Sequence, residues 1–108
     1  MVRQGDIIKI SFNPQECHEQ AGYCPAVVVS NDFFNRRCSM TLLCPITDTN
    51  NKFPLHVPLD DRTETTGVVL CEQIRSMDLN ARQYNHIERI PDDLMETIIN
   101  IITAEIER

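Results

Sequence analysis

No stretch of this 108-residue chain is apolar for long enough to cross a bilayer. Its first ten residues, MVRQGDIIKI, contain no signal-peptide core and no small-residue cleavage site. A soluble, cytoplasmic protein with no membrane partner is therefore expected. There is no CxxC pair, and the five cysteines (Cys17, Cys24, Cys38, Cys44 and Cys71) are odd in number. That argues against a disulfide framework and against a structural zinc site. His18, His56 and His86 lack metal-ligand spacing and read as surface residues. Neither a metal nor another cofactor is expected. The chain also lacks repeats, low-complexity tracts and linkers, so its length suits one domain over residues 1–108. Positive charge is scarce: 10 Lys and Arg stand against 16 Asp and Glu, a net charge of −6. Taken alone, that balance counts against a nucleic-acid partner.

The distribution of charge changes that reading. Asp60 to Glu64 and Asp92 to Arg108 together hold eight acids and two bases, and the remainder holds eight of each. The excess negative charge thus sits in one turn and one C-terminal segment. The neutral remainder leaves room for a basic groove, with Arg36, Arg37, Lys52, Arg75, Arg82 and Arg89 as candidates.

Short strands dominate the pattern. In DIIKISF, Ile8, Ile10 and Phe12 alternate with Ile7, Lys9 and Ser11, as in a half-buried strand. PAVVVS is a continuous run, fit for a strand buried on both faces. SMTLLCPIT places Met40, Leu42, Cys44 and Ile46 on one face and Thr41, Leu43 and Thr47 on the other. LHVPL, interrupted by Pro58, reads as an edge strand. GVVLCEQIRS reads as one strand with Val69, Cys71, Gln73 and Arg75 on a shared face, and HIERI as a final short strand. Cys44 and Cys71 are read as small core residues. NDFFNRR reads as a turn with a helical start, and SMDLNARQYN as one or two helical turns opened by Ser76 or Asp78. PDDLMETIINIITAEIER is the one long helix, with Pro91 in its first turn and Asp92 and Asp93 at its positive end. Its apolar stripe is wide enough either to cover the sheet or to meet a second copy. The expected class is mainly β with α+β character: a small barrel of short, mostly antiparallel strands and a C-terminal helix.

The loop from Asn13 to Tyr23 is longer than a hairpin needs and carries Glu16, Cys17, His18, Glu19, Gln20 and Gly22. Composition alone reads it as a solvated polar loop. In order along the chain, however, stand GDIIKISFNPQECHEQAGYCPAVVVSNDFFN, CPITDT, FPLHVPL and GVVLCEQIRSMDLNAR. Together these resemble the MazF/PemK family of toxin endoribonucleases, from Gly5 to the terminal helix. The resemblance implies an SH3-like β-barrel that forms a two-fold homodimer. It implies cleavage of single-stranded RNA, such as mRNA, at short sequence motifs without a metal. The 2′-hydroxyl attacks the adjacent phosphorus and leaves 2′,3′-cyclic phosphate and 5′-hydroxyl ends. A cognate antitoxin binds the dimer and blocks the RNA site with an acidic tail.

That reaction needs a proton taken from the 2′-hydroxyl, a proton given to the leaving oxygen, and stabilisation of the phosphorane oxygens. In the family, an arginine directly before a proline supplies the stabilising fork. Here that position is Cys24, before Pro25. A thiol is a weak donor, and a thiolate carries the wrong charge. Catalysis by this chain is therefore expected to be impaired. Thr47 matches the family threonine that donates to the same phosphate. Glu19 and Gln20 match the family's EQ pair, with Glu19 tuning proton transfer and Gln20 touching RNA. Tyr23 is a candidate for base stacking, and Gln73, Arg75 and Arg82 are candidates to line the RNA groove. Phe33 and Phe34 read as core or dimer packing. Two alternatives remain open: a module on the same fold that binds RNA or antitoxin without cutting, and a gyrase-poisoning toxin.

Overall fold

The computed structural model describes residues 1–11, 23–48 and 54–108. Its strands are β1 (Asp6–Ser11), β2 (Tyr23–Val28), β3 (Thr41–Thr47), β4 (His56–Pro58), β5 (Val68–Leu70), β6 (Arg75–Met77) and β7 (Tyr84–Arg89). Helix α1 (Asp32–Arg37) follows β2, and helix α2 (Asp92–Ile106) closes the order. The strands form one antiparallel sheet in the order β4-β5-β3-β2-β1-β7, with β6 also paired to β3. This is the mainly β architecture with a C-terminal helix that the alternating pattern predicts.

The sheet is buried on both sides, so two apolar clusters form. One face gathers Ile8, Ile10, Cys24, Ala26, Val28, Leu43, Met77 and Leu79. The other gathers Ile7, Val27, Cys44, Ile46, Val69 and Cys71 beneath Met95 and Ile98 of α2. The helix is why β1 departs from a half-buried strand: Ile7, on the face opposite Ile8, is also fully buried. Leu94, Ile99, Ile101 and Ile102 pack against the same cluster, so most of the wide stripe covers the sheet. Ile106 alone of the stripe stays largely exposed, at 78%.

Local chemistry sets the ends of the elements. The Asn31 side chain accepts the Phe34 amide and starts α1. Pro91 stands one residue earlier than expected, as the N-cap of α2, where its carbonyl accepts the Met95 amide at 3.0 Å. Asp92 and Asp93 occupy the first turn and complement the helix dipole. Arg62 then reaches from the acidic turn to both Asp60 and Asp93, with contacts of 2.8 Å to each. The Arg62 guanidinium holds both carboxyls below the ordinary range.

Two expectations need correction and a third is narrowed to the shorter of its alternatives. GVVLCEQIRS is not one strand: a 3₁₀ turn at Cys71–Gln73 divides β5 from β6. Gln73 and Arg75 therefore do not share a strand face. SMDLNARQYN gives only a 3₁₀ turn, Leu79–Ala81, because Ser76 and Met77 are taken into β6. Asp78 is its cap, as anticipated, accepting the Asn80 amide. His56 is not a surface residue: its side chain is 5% exposed, with Nε2 3.1 Å from Glu72. Cys44 and Cys71 are core thiols, and burial pushes Cys71 up to about 12 and Cys44 higher still.

Candidate nucleic-acid interface

Residues paired across a ladder share a face of the sheet. Ile8 pairs with Ala26 and Ile10 with Cys24, all within the first cluster. Cys24 is therefore turned inward and fully buried. It is also disulfide-bonded, whereas Cys38, Cys44 and Cys71 are free. The expectation of a free thiol at this position is corrected. A disulfide sulfur has no proton to donate and no charge.

Thr47 lies on the neighbouring strand, β3. β2 and β3 pair as Ala26 with Pro45 and Val28 with Leu43. The pairing of the two strands ends at Ala26 and Pro45, two residues short of Cys24 and Thr47. Thr47 is half-buried and ends β3 opposite Val68. Gly67, at φ +117°, lies against the Thr47 carbonyl, where any Cβ would collide with backbone. The absence of a side chain at residue 67 thus fixes where Thr47 stands. Arg75 pairs with Leu43, a member of the first cluster, and so joins the same face of the sheet.

The other predicted residues meet in two adjoining clefts. The first, about 480 Å³, is lined by Lys9, Tyr23, Arg82, Gln83, Tyr84 and Asn85. The second, about 440 Å³, includes Arg75, Arg82, Ser76, Asp78 and two methionines, Met40 and Met77. Arg82 is common to both, and donates one Nη1–H to the Ser11 carbonyl at 2.9 Å. Among the described residues that line the clefts, Lys9, Arg75 and Arg82 stand with one acid, Asp78, whose carboxylate accepts the Asn80 amide at 2.9 Å. In a chain of net charge −6, this is a local positive surface.

Of the predicted residues, Tyr23, Arg75 and Arg82 are brought together, Cys24 lies in the first cluster, and Thr47, at the end of β3, is not among the residues that line the clefts. Gln73 is held apart in the 3₁₀ turn, with Oε1 buried and, among the described residues, unpartnered. Glu19 and Gln20, like Lys52, lie outside the described residues. Among the remaining candidate cations, Arg89 binds Asp6 at 3.3 Å, and Arg37 stands 4.8 Å from the Phe33 ring centre on α1. Among the described residues, no group of three His, Cys, Asp or Glu is arranged to hold a metal ion. Lys9, Tyr84 and Asn85 were not singled out from the sequence. Lys9 carried a signal, a cation interrupting an apolar strand, but Tyr84 and Asn85 stand before the segment HIERI and gave none.

Comparison with known proteins points in one direction. Residues 3–105 match the model of the PemK-like, MazF-like toxins of type II toxin–antitoxin systems. Endoribonuclease toxin ChpB of Escherichia coli (strain K12) is 37% identical over 112 residues, spanning 96% of this chain and 93% of the relative. Endoribonuclease PemK of Escherichia coli is 33% identical over 107 residues, spanning 95% and 80%. The crystal structure of MazF (Form-I) from Deinococcus radiodurans superposes with a TM-score of 0.83 at 28% identity, covering 96% of this chain and 94% of that one.

Proposed function

This chain belongs to the PemK-like, MazF-like toxins of type II toxin–antitoxin systems, and from that premise we propose that it is a single-domain, cytoplasmic endoribonuclease toxin spanning residues 1–108. Its substrate is single-stranded RNA, mRNA included, cut at a short sequence motif without a metal. It works as a homodimer and is neutralised by a cognate antitoxin. The observation that carries this reading is the pair of clefts in which Lys9, Arg75 and Arg82 meet Tyr23 and Tyr84. Cations suit phosphates and tyrosine rings suit unstacked bases.

In the proposed reaction the 2′-oxygen attacks the adjacent phosphorus and the 5′-oxygen leaves. The ends are a 2′,3′-cyclic phosphate and a 5′-hydroxyl. The Thr47 hydroxyl donates to a phosphate oxygen. Glu19 orients the proton transfer, and Gln20 contacts RNA beside Tyr23, Arg75 and Arg82, while Gln73 is held away from them. Position 24 is where the family's cationic fork belongs. A buried, disulfide-bonded cysteine there supplies neither charge nor proton, so turnover is slow. The same observation favours a second reading, a module that binds RNA or antitoxin but does not cut.

Restoring arginine tests this directly. The parent and Cys24→Arg are incubated with a long single-stranded RNA in the presence of a chelator, and the 5′ ends are mapped. Cleavage by Cys24→Arg should be roughly 10²–10³-fold faster, the usual effect of one preorganised oxyanion stabiliser. Equally fast cleavage by both removes the role given to position 24. Binding without cleavage by either, with both proteins folded by thermal melt, favours the non-cutting module.

A further inference from the structure

The end of α2 is turned against ordinary preference. Ile106 is largely exposed, while Glu105, the residue before it, is half-buried and its Oε1 has no contact with solvent. The acid faces in and the isoleucine faces out. We propose that Glu105 is the un-ionised acid in the folded protein, and that its hydroxyl latches the end of α2 to the 3₁₀ turn at Cys71–Gln73, a fastening that opens as pH rises. The latch stands whether or not the chain cuts RNA.

Three costs oppose an ionised carboxylate at this place. Desolvation penalises the charge. Glu105 stands in the last turn of α2, at the negative end of the helix dipole. Glu72 of the 3₁₀ turn is a second negative charge bearing on it. One proton on Glu105 removes all three.

The same proton settles the hydrogen bonds of the junction. α2 packs against both the 3₁₀ turn and β4. There His56 Nε2 lies 3.1 Å from the Glu72 carboxylate. Gln73 Oε1 and Glu105 Oε1 are buried and, among the described residues, unpartnered. With Glu105 ionised, both of these oxygens are acceptors, and two acceptors cannot satisfy each other. The neutral acid supplies the donor they lack, and a buried acceptor left without one is costly. The titratable groups gathered here are His56 from β4, Cys71 and Glu72 from the turn, and Cys44 from β3. Burial, and then both carboxylates, keep the two thiols protonated. Among the described residues, neither a lysine nor an arginine is a group that bears on Glu105. The turn leads through Ile74 into β6 and Arg75, so the latch ties the helix end to the segment that carries Arg75 to its cleft.

A carboxyl raised above its unfolded value stabilises fully below that value, and the contribution is lost as pH rises through the folded one. The intact, isotope-labelled chain is therefore titrated by NMR. The readouts are the Glu105 carboxyl carbon and the exchange protection of the Glu107 amide, which is bonded to the Thr103 carbonyl at 3.0 Å. The carbon should titrate above the ordinary carboxylate range. Protection, corrected for intrinsic exchange, should fall about tenfold through the same pH, the net worth of one hydrogen bond. Glu105→Gln keeps a donor at every pH and should stay protected with no step. Glu72→Gln removes the neighbouring charge and should bring the Glu105 titration back towards the ordinary range. A Glu105 carbon that titrates within the ordinary range overturns the proposal, and leaves the buried oxygens to a trapped water. A protection step that persists in Glu105→Gln overturns it as well. Neither outcome bears on cleavage by Cys24→Arg.

Discussion

The helix-covered face of the sheet and its cleft-bearing margin are built on opposite terms. Under α2, Ile7, Val27, Cys44, Val69 and Ile98 are all fully buried, and the chemistry is apolar. At the margin, Lys9, Arg82 and Asn85 are exposed and Tyr23 and Tyr84 half-buried. The same strands serve both regions: β1 contributes Ile7 to the helix side and Lys9 to a cleft, two residues apart. Stability and recognition are thus divided along each strand, and not between domains.

That division is open to attack from both ends. Ile98→Ala should be the most damaging change to the fold, costing about 2–5 kcal/mol, because it opens a cavity where nothing can relax into it. Arg82→Ala, by contrast, should alter stability by only about 0.5 kcal/mol or less, as exposed substitutions usually do. Denaturant titration of the two variants checks the contrast, and equal losses would refute it. Gly67→Ala comes next. Strain at a positive φ costs about 1–3 kcal/mol, and the clash with the Thr47 backbone must be relieved by moving that residue. The expected signature is a lowered melting temperature together with shifted Thr47 signals by NMR.

A smaller effect sharpens the helix side. Burial, then the neighbouring Glu72, raises the Glu105 carboxyl above the ordinary range. The folded state therefore holds this proton more firmly than the unfolded one, and stability falls as pH rises through that window. Glu105→Gln should raise the melting temperature at pH 7, with the gain vanishing near pH 4. The smallest effect is expected at Arg62, which is exposed. Asp60 and Asp93 are depressed by it, so the bridge contributes above the usual carboxylate range and fades as pH falls through it. Arg62→Ala should lower the melting temperature slightly at pH 7 and not at all in strong acid.

The sequence made the elements legible wherever periodicity was long or punctuation sharp. The run PAVVVS, the edge strand at Pro58 and the helix after Pro91 needed no tertiary context. GVVLCEQIRS misled because its alternation continues through Cys71–Gln73, where the backbone turns; nothing in side-chain hydrophobicity marks that bend. His56 was misplaced because a polar residue on a short edge strand gives no sign that its side chain is buried against Glu72. At the site, Tyr23, Arg75 and Arg82 could be chosen by matching motifs. Their meeting in two clefts could not, because it depends on how β6 pairs with β3 while β7 pairs with β1. Lys9 and Tyr84 enter by that pairing alone.

Arg62 ties the acidic turn to the start of α2, and so gathers into one place carboxylates that the chain order keeps some thirty residues apart. Of these acids none lines either cleft. Among the described residues, the acids gathered by Arg62 and the cations that line the clefts therefore stand on separate stretches of the molecule's surface. A polyanion diffusing towards it is turned before it touches, and added salt should slow that capture sooner than it loosens the grip afterwards.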